Sequence, residues 1–494
     1  MRKQSHPLKN IVIIGSGIGG LTTGIILQKS GYHVHIVEKN NQPGGLMRSY
    51  TRMGFDCPVG IHYIGSLAPG QPLKILWDYL GITDKIPLER MGTNGPIDRY
   101  IFDTFNFDLP EGIAAFEDNL RQTFPQEQEQ ITVIMQPLKM FCDHLYRLDT
   151  LLSPEKMLLS PENFIPMGEY LDQVGCSPRM KSVLGVPATL VGIPFFQCPL
   201  FFYYMTLASY LLSSWRLHND SGSQTAKIYA EQFISLGGRL TLGDMAQTIE
   251  VKSRQIEGIS LASGKIITAD GVIAAIHPQT MAAMLTDNDL RPAHRERIAN
   301  LKNTKGIFCA SFSLNSEAHP ELPYNIYRLR PEEDGSLENG LFVQVRKSHR
   351  PQTNIMTMMA SSTIHEWEPW LNTHSERRGN DYLRKKEEKI LEFITEATEI
   401  LGPLKDMTVI DAYTPLTIRD YVGSPDGSAY GIVRSSNQLM QTTFLNRLNI
   451  DGLFLAGQNI MAPGIMGTTL GSFLVARKVM GQEDFSHNVL KDLC

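Results

Sequence analysis

The chain has 494 residues, of which 42% are hydrophobic and 20% charged, and its formal net charge is −5. This composition is typical of a globular protein, and the length exceeds what a single hydrophobic core supports, so at least two domains are expected. The mildly acidic balance argues against nucleic-acid partners, which need clustered Lys and Arg.

The cysteines argue against metal and disulfide chemistry. They are scattered without a C-x-x-C pair, which predicts no metal site, no redox dithiol and no disulfide framework. Reducing, cytoplasmic surroundings fit this usage best. The first apolar stretch, at Ile11, breaks at once into glycines, so it is predicted to be a strand rather than a signal peptide.

A strand, a glycine-rich turn, a helix and a second strand are predicted over the first 38 residues. The run Ile11–Ile14 leads into Gly15-Ser16-Gly17-Ile18-Gly19-Gly20, an amphipathic helix is expected over 21–29, and Glu38 lies 18 residues after Gly20. In such a motif the first glycine allows the tight turn, the second lets backbone N–H groups approach a pyrophosphate, and the third lets the helix pack close to the strand. Glu38 is placed to accept hydrogen bonds from a ribose. The pattern predicts a dinucleotide site; the alternative is a tight turn with a surface glutamate.

An uncharged segment of 34 residues runs from Ser182 to Trp215. Its length alone would suit a membrane span. However, Pro187, Pro194 and Pro199 interrupt its first half, and proline breaks helices and removes backbone donors. The segment is therefore predicted to be buried and to line an apolar pocket, with a shallow membrane-contact surface as the alternative.

Nucleotide-domain character returns in two later parts of the chain. A helix over 226–236, closed by Gly237-Gly238, precedes short strands that end near Ala275. The last part contains a strand at 453–455 and a helix that opens at Gly464. We therefore predict a nucleotide-binding domain in three pieces and a substrate domain in two inserts, with the pieces at 1–95, 221–299 and 446–494 and the inserts at 96–220 and 300–445.

Together these motifs resemble the flavoprotein superfamily of phytoene desaturases, carotenoid isomerases and amine oxidases, over nearly the whole chain. The glycine turn with Glu38, the Gly44-Gly45 pair and the closing Gly457-Gln458-Asn459 carry the resemblance. Within the superfamily, Gly54-Phe55-Asp56 and Gly60-Ile61-His62-Tyr63-Ile64-Gly65 look most like the retinol saturases, which reduce a conjugated C=C bond. Two departures are Ser221, where glycine is more usual, and Asn459, which replaces an acid. The resemblance implies an α/β fold: a discontinuous Rossmann-like FAD-binding domain with an inserted α+β substrate domain.

The resemblance also implies FAD as the cofactor and assigns residues to its parts. A helix N-terminus at the pyrimidine edge of the flavin would stabilise the negative charge of the reduced ring. The implied contacts are Gly15, Ser16, Gly17, Gly19 and Gly20 with the pyrophosphate, Glu38 and Lys39 with the ribose, Ala246 with the adenine, Gly45, Leu46 and His62 with the flavin, Gly457 and Gln458 with the ribityl chain, and Met466, Gly467 and Thr468 with the pyrimidine edge.

The resemblance implies an FAD-dependent oxidoreductase acting on C=C bonds of an apolar polyene, a retinoid or a carotenoid. The first interpretation is a retinol saturase-like reductase; the alternatives are a desaturase, a cis–trans isomerase, an amine oxidase or a non-enzymatic prenyl-lipid binding protein of the same fold. Candidate proton donors are His62, Tyr63, Tyr413 and Tyr430. Because only one complete dinucleotide motif is present, NADPH or NADH is expected to act as a transient reductant, with a quinone or another protein as alternatives. The insoluble substrate predicts peripheral membrane contact.

Overall fold

The computed structural model describes residues 8–153, 160–218, 222–337, 340–375, 377–443, 445–446 and 448–493. Ser221 and Cys494 lie outside the described residues. The strands are β1 (Asn10–Ile14), β2 (His33–Val37), β3 (Ser49–Arg52), β4 (Phe55–Pro58), β5 (Ile64–Gly65), β6 (Leu88–Met91), β7 (Asp98–Ile101), β8 (Asn106–Leu109), β9 (Ser214–Leu217), β10 (Arg239–Thr241), β11 (Ala246–Lys252), β12 (Gln255–Leu261), β13 (Ile266–Thr268), β14 (Gly271–Ala274), β15 (Gly306–Asn315), β16 (Asn325–Leu329), β17 (Gly340–Lys347), β18 (Thr353–Ser362), β19 (Thr408–Tyr413) and β20 (Leu453–Leu455).

The helices connect and cover these strands. They are α1 (Ile18–Lys29), α2 (Pro72–Leu80), α3 (Ile113–Thr123), α4 (Gln128–Leu145), α5 (Leu148–Leu151), α6 (Met167–Val174), α7 (Pro178–Thr189), α8 (Leu200–Leu212), α9 (Gly222–Ser235), α10 (Pro278–Ala283), α11 (Pro292–Ala299), α12 (Gly379–Leu401), α13 (Pro415–Val422), α14 (Leu439–Thr443), α15 (Gly464–Met480), α16 (Gln482–Phe485) and α17 (Lys491–Leu493).

A parallel five-stranded sheet carries the glycine-rich turn. Its strand order is β10-β2-β1-β14-β20, so three distant parts of the chain build one sheet. The register pairs Ile13 of β1 with Ile36 on one side and with Ile273 on the other. All three side chains are fully buried, as expected for a parallel sheet covered on both faces. The predicted α/β Rossmann-like fold is confirmed, and the exact domain limits stay predictions.

Helix α1 departs from the predicted amphipathic pattern. Every residue from Ile18 to Leu27 is buried, so the helix has no solvent-facing stripe. Helices α9 and α15 both pack against α1. A helix enclosed in this way is apolar all round. The prediction of an amphipathic helix over 21–29 was therefore wrong, because the covering helices come from residues 222–235 and 464–480.

A second, mostly antiparallel sheet joins the two inserts. Its order is β19-β15-β18-β17-β16-β7-β8, and the one parallel pair in this ladder joins β16 to β7. Strands β7 and β8 come from residues 98–109, whereas β15 to β19 come from residues 306–413. Helix α12 covers one face, where Phe393 and Ala397 join the core around Phe308. The opposite face contributes Tyr327, Phe342 and Met359 to the site described below.

The uncharged segment folds as helices α7 and α8 with a short 3₁₀ turn, Phe195–Gln197, between them. Tyr203, Leu207 and Leu211 of α8 are buried. Over the described part of the chain, no helix combines the length and apolar character needed to cross a bilayer. The segment contributes instead to the wall of an internal cavity, as the sequence predicted.

Candidate cofactor and substrate site

Two cavities meet inside the molecule. The first, the nucleotide cavity, has a volume of about 570 Å³ and lies at the carboxyl ends of the parallel strands. The second, the apolar cavity, has a volume of about 730 Å³ and lies between the mixed sheet and the uncharged segment. Their shared wall consists of Gly60, Ile61, His62, Ile307, Met359, Tyr430, Gly464 and Ile465. A ligand in one cavity can therefore contact a ligand in the other.

The glycines of the first turn have distinct roles. Gly15 has a φ of +98°, a conformation that favours glycine. A Cβ on Gly20 would lie 2.0 Å from the Gly15 carbonyl oxygen, and one on Gly19 would lie 2.4 Å from Gly457 Cα. A Cβ on Gly17 would meet no atom within 4 Å. Gly19 and Gly20 are thus needed for close packing, whereas Gly17 borders open space at the N-terminus of α1, a position that suits a bound anion.

Glu38 is tied into the same turn. Its Oε2 accepts hydrogen bonds from the Ser16 backbone N–H at 3.0 Å and from the Ser16 hydroxyl at 2.9 Å. Its Oε1 accepts from the backbone N–H and side-chain amide of Asn40, at 2.9 and 2.7 Å. Glu38 lines the nucleotide cavity, whereas Ser16 and Gly20 do not. These four donors occupy the acceptor sites of the Glu38 carboxylate. A ribose hydroxyl that donates to Glu38 would therefore share Oε1 with Asn40, or would replace one of the Asn40 hydrogen bonds.

Two cations line the nucleotide cavity. Lys39 Nζ donates to the Asp420 carbonyl oxygen at 3.2 Å, and burial lowers the pKa of Lys39. Arg48 donates through Nε to the Gly45 carbonyl oxygen at 3.0 Å and through Nη2 to Tyr421 at 3.2 Å. Sequence reasoning missed Arg48. Its one signal was its position three residues after the Gly44-Gly45 pair, on the turn that contacts the glycine-rich loop.

The remaining cofactor residues predicted from the sequence lie on the same two cavities. Gly15, Gly17, Gly19, Lys39, Gly45, Leu46, Ala246, Gly457, Gln458 and Thr468 line the nucleotide cavity. Met466 and Gly467 line the apolar cavity instead. Because Gly464 and Ile465 belong to the shared wall, the N-terminus of α15 lies where the two cavities meet.

Asn459, which stands where the resemblance expects an acid, has a structural role. Its Oδ1 accepts a hydrogen bond from the Ile432 N–H at 2.9 Å, and its carbonyl oxygen accepts one from the Arg434 guanidinium. Arg434 is 2% exposed, and burial lowers its pKa to about 10. The neutral amide therefore fixes the loop at 431–434 beside the nucleotide cavity without supplying a negative charge.

His62 lies in the shared wall with its ring nitrogens unpaired. Neither nitrogen has a hydrogen-bond partner among the described residues, although the ring is 9% exposed. Burial, followed by the charge of Arg346, lowers the pKa of His62 to about 4. The imidazole is therefore neutral at physiological pH, and the side chain of Gln344 lies close enough to oppose part of the fall in its pKa.

The tyrosine candidates separate by position. Tyr430 belongs to the shared wall, and burial raises its pKa to about 12. Tyr63 lines the apolar cavity, and its hydroxyl donates to Asp98 Oδ2 at 3.0 Å. Tyr413 lines neither cavity and donates to the Val59 carbonyl oxygen at 2.6 Å. Of the three tyrosines considered, Tyr63 and Tyr430 are therefore placed to meet a ligand.

Comparison with known proteins gives the class first. A family model described as an NAD(P)-binding Rossmann-like domain matches residues 13–80. Among solved structures, cyclohexylamine oxidase from Brevibacterium oxydans superposes with a TM-score of 0.59 at 16% identity, covering 97% of this chain and 99% of that one. The fold is thus a Rossmann-like fold of the amine oxidase type.

Curated relatives then narrow the class. All-trans-retinol 13,14-reductase from Danio rerio is 23% identical, over 95% of this chain and 86% of its own length. Chloroplastic prolycopene isomerase from Daucus carota is 21% identical, over 95% of this chain and 79% of its own length. The resemblance to the superfamily of phytoene desaturases, carotenoid isomerases and retinol saturases is confirmed, and so is the similarity to the retinol saturase subgroup.

Proposed function

We propose that the chain is an FAD-dependent oxidoreductase that reduces a C=C bond of an apolar polyene, either a retinoid or a carotenoid. The observation that carries this proposal is the shared wall, which places the nucleotide cavity and the apolar cavity side by side. The similarity to retinol 13,14-reductases supports reduction as the direction of the reaction.

The nucleotide cavity fits FAD by its own features. The open position at Gly17 suits a pyrophosphate at a helix N-terminus, and Lys39 and Arg48 add positive charge nearby. His62 lines both cavities, where the resemblance implies that the flavin ring would lie. When bound, FAD would supply hydride from N5. The chain's own residues would hold the cofactor, exclude water and provide the accompanying proton.

The apolar cavity fits a polyene. Its volume lies in the range of pockets that enclose ligands of drug size. Aromatic and aliphatic side chains dominate the wall, and among its described residues Lys305 alone carries a charged side chain. Phe195, Phe201 and Phe202 come from the uncharged segment. Such a wall gains energy from burying a long hydrocarbon and offers little to a charged amine.

Related activities would use the same two cavities. The similarity to prolycopene isomerase makes a cis–trans isomerase the second candidate function. An isomerase differs from the reductase in that its reaction has no net redox change. A desaturase would remove hydrogen from the same class of substrate. A prenyl-lipid binding protein without FAD is disfavoured, because the chain has the glycine-rich turn and Glu38 of a dinucleotide site.

The reductant and the cellular location belong to the proposal as well. NADPH or NADH would dock transiently and reduce the cofactor, and the substrate would enter from a membrane with which this cytoplasmic protein makes peripheral contact. Phe196 supports this route, because it lines the apolar cavity and is 37% exposed. A vesicle flotation assay comparing wild type with Phe196→Ser tests it, and equal, negligible flotation of both proteins would argue against membrane entry.

Product analysis tests the proposed function. The purified protein is first denatured and the released cofactor identified by mass spectrometry, where FAD is expected. The native protein is then incubated anaerobically with NADPH and all-trans-retinol or a carotenoid, and a product heavier by two hydrogens is expected. A product of unchanged mass but altered geometry would establish an isomerase instead. Absence of any flavin would overturn the proposal.

A further inference from the structure

Asp98 is a buried carboxyl group beside the apolar cavity, and it is hydrogen-bonded to neighbouring polar side chains. This residue begins β7 and is 0% exposed. Its Oδ2 accepts a hydrogen bond from the Tyr63 hydroxyl at 3.0 Å, and its Oδ1 accepts one from Asn325 Nδ2 at 2.8 Å. The Tyr63 hydroxyl also lies 3.0 Å from the Tyr327 hydroxyl. Asp98, Tyr63 and Tyr327 thus form a continuous chain of hydrogen bonds, which we call the Asp98 relay.

The second sheet fixes the inner end of this relay. Asn325 pairs with Asp98 in the parallel register of β16 and β7. Gln344 Nε2 donates to Asn325 Oδ1 at 2.7 Å, so the amide nitrogen of Asn325 is turned towards Asp98. One carboxylate oxygen of Asp98 is therefore held by Asn325, and the other is left to Tyr63. Neither Asp98 nor Asn325 lines the cavity, whereas Tyr63 and Tyr327 both do.

The surroundings of Asp98 favour its neutral form. The described groups that couple to it electrostatically are Tyr63, Tyr100, Tyr210 and Tyr327, and each of them is neutral near pH 7. Burial raises the pKa of Asp98 to about 7, and the hydrogen bonds from Asn325 and Tyr63 oppose this rise only in part. A carboxyl group with such a pKa is matched to proton transfer near neutral pH.

The outer end of the relay lies close to the shared wall. Tyr63 follows His62 in the chain, and its ring packs against that of Tyr210 at an interplanar angle of 37°, with the centroids 4.7 Å apart. Because the Tyr63 hydroxyl contacts both Asp98 and Tyr327, the Tyr327 hydroxyl is the terminal group of the relay. Tyr327 faces the apolar cavity, where a polyene would lie.

We propose that the Asp98 relay supplies the proton of the reduction, with Tyr327 as the donor to carbon and Asp98 as the proton reservoir. This inference rests on the proposed function. Reduced FAD, once bound, would supply the hydride that forms one C–H bond and would lose two electrons. The π electrons of the C=C bond form the second C–H bond with the Tyr327 proton, and the O–H bond electrons remain on that oxygen. Tyr63 reprotonates Tyr327, Asp98 reprotonates Tyr63, and solvent returns a proton to Asp98.

The variant Asp98→Asn removes the transferable proton of Asp98 and keeps its hydrogen-bonding capacity. An amide at position 98 can accept from Asn325 and donate to the Tyr63 oxygen, as a carboxyl group protonated on Oδ2 would, but it cannot release a proton. We expect polyene reduction to fall by about 10²-fold or more. In wild type the rate should also decline as the pH rises through about 7, where Asp98 loses its proton, and this limb of the pH profile should be absent in the variant.

Tyr327→Phe and Tyr100→Phe form a matched pair. Tyr100 is also fully buried in this sheet, its ring lies 5.7 Å from that of Tyr327, and its hydroxyl has no partner among the described residues. It lines neither cavity. We expect Tyr327→Phe to slow polyene reduction strongly and Tyr100→Phe to leave it unchanged. Flavin reduction by NADPH should be the same in both variants, since this half-reaction needs no proton from the relay.

The pH dependence of the free energy of unfolding tests the protonation of Asp98 without a measurement of activity. Because the pKa of Asp98 is higher in the folded than in the unfolded state, the native protein binds more protons between about pH 4 and pH 7. The contribution of Asp98 to the free energy of unfolding should therefore fall as the pH rises through this range, and Asp98→Asn should lack that contribution. Equal pH dependence in the two proteins would overturn the assignment of Asp98 as a proton reservoir.

The outcomes distinguish the relay from the function on which it rests. If wild type reduces no polyene, the proposed function fails, and the relay fails with it. If wild type is active and Asp98→Asn keeps both its rate and the limb near pH 7, the relay alone is overturned. If Asp98→Asn does not fold, the comparison of Tyr327→Phe with Tyr100→Phe decides, and equal rates would overturn the relay.

Discussion

Ser16 and Glu38 hold each other across the glycine-rich turn. The backbone N–H and the hydroxyl of Ser16 both donate to the same carboxylate oxygen, at 3.0 and 2.9 Å. The end of β2 is thereby fixed to the start of α1, and Glu38 keeps its position at the cavity wall without a ligand. This contact brings two residues that are 22 positions apart in the sequence together at the rim of the nucleotide cavity.

Gly17 and Gly20 should respond differently to the same substitution. Gly17→Ala introduces a methyl group into free space at a normal φ, so the variant should fold with wild-type stability but lose most of its bound flavin. Gly20→Ala places its Cβ 2.0 Å from a backbone oxygen, and it should destabilise the fold by several kcal/mol. Thermal unfolding and the flavin-to-protein absorbance ratio measure the two effects. Full flavin occupancy in Gly17→Ala would contradict the assignment of this turn.

His62 should remain neutral across the physiological range. Its pKa is lowered to about 4, so the native protein takes up fewer protons than the unfolded chain between about pH 6.5 and pH 4. This difference should reduce the free energy of unfolding by about 2 kcal/mol between pH 7 and pH 5. In His62→Gln that loss should disappear.

The control for this prediction is His33→Gln, at an exposed position on β2. Denaturant unfolding at pH 5 and pH 7 gives the comparison for all three proteins. If His62→Gln showed the same pH dependence as His33→Gln, the buried neutral imidazole would be contradicted.

Filling the apolar cavity should impair substrate binding alone. Leu190 lies at the end of α7 and lines this cavity but not the nucleotide cavity. Leu190→Trp should raise KM for a polyene by about tenfold or more, because added ring volume excludes part of the ligand. Flavin content and reduction by NADPH should not change. Leu391→Trp, on the exposed face of α12, is the control and should behave as wild type.

The local part of the site could be predicted from the sequence, and the assembled part could not. The tight turn at Gly15 and the close packing at Gly20 follow from spacing within one strand–turn–helix unit, whereas the ribose contact of Glu38 stays a prediction. The burial of α1 depends on helices far along the chain, so its own residues misled the prediction of an amphipathic surface.

The role proposed for Asp98 could not be predicted from the sequence either. It is one acid among 51 Asp and Glu residues, and no motif surrounds it. Its partner Asn325 lies 227 residues away and reaches it only through the parallel pairing of β16 with β7. A pairing over that separation leaves no periodic signal in either strand, and therefore only the folded sheet reveals the buried carboxyl group.

The most direct test of the central claim is the anaerobic visible spectrum of the reduced protein on addition of a polyene. The protein is first reduced with NADPH until the flavin bands bleach, and all-trans-retinol or a carotenoid is then added without oxygen. Because the two cavities share a wall, we expect the oxidised flavin bands to return in proportion to the double bonds reduced. Flavin that stays bleached while each polyene tested remains intact would contradict it.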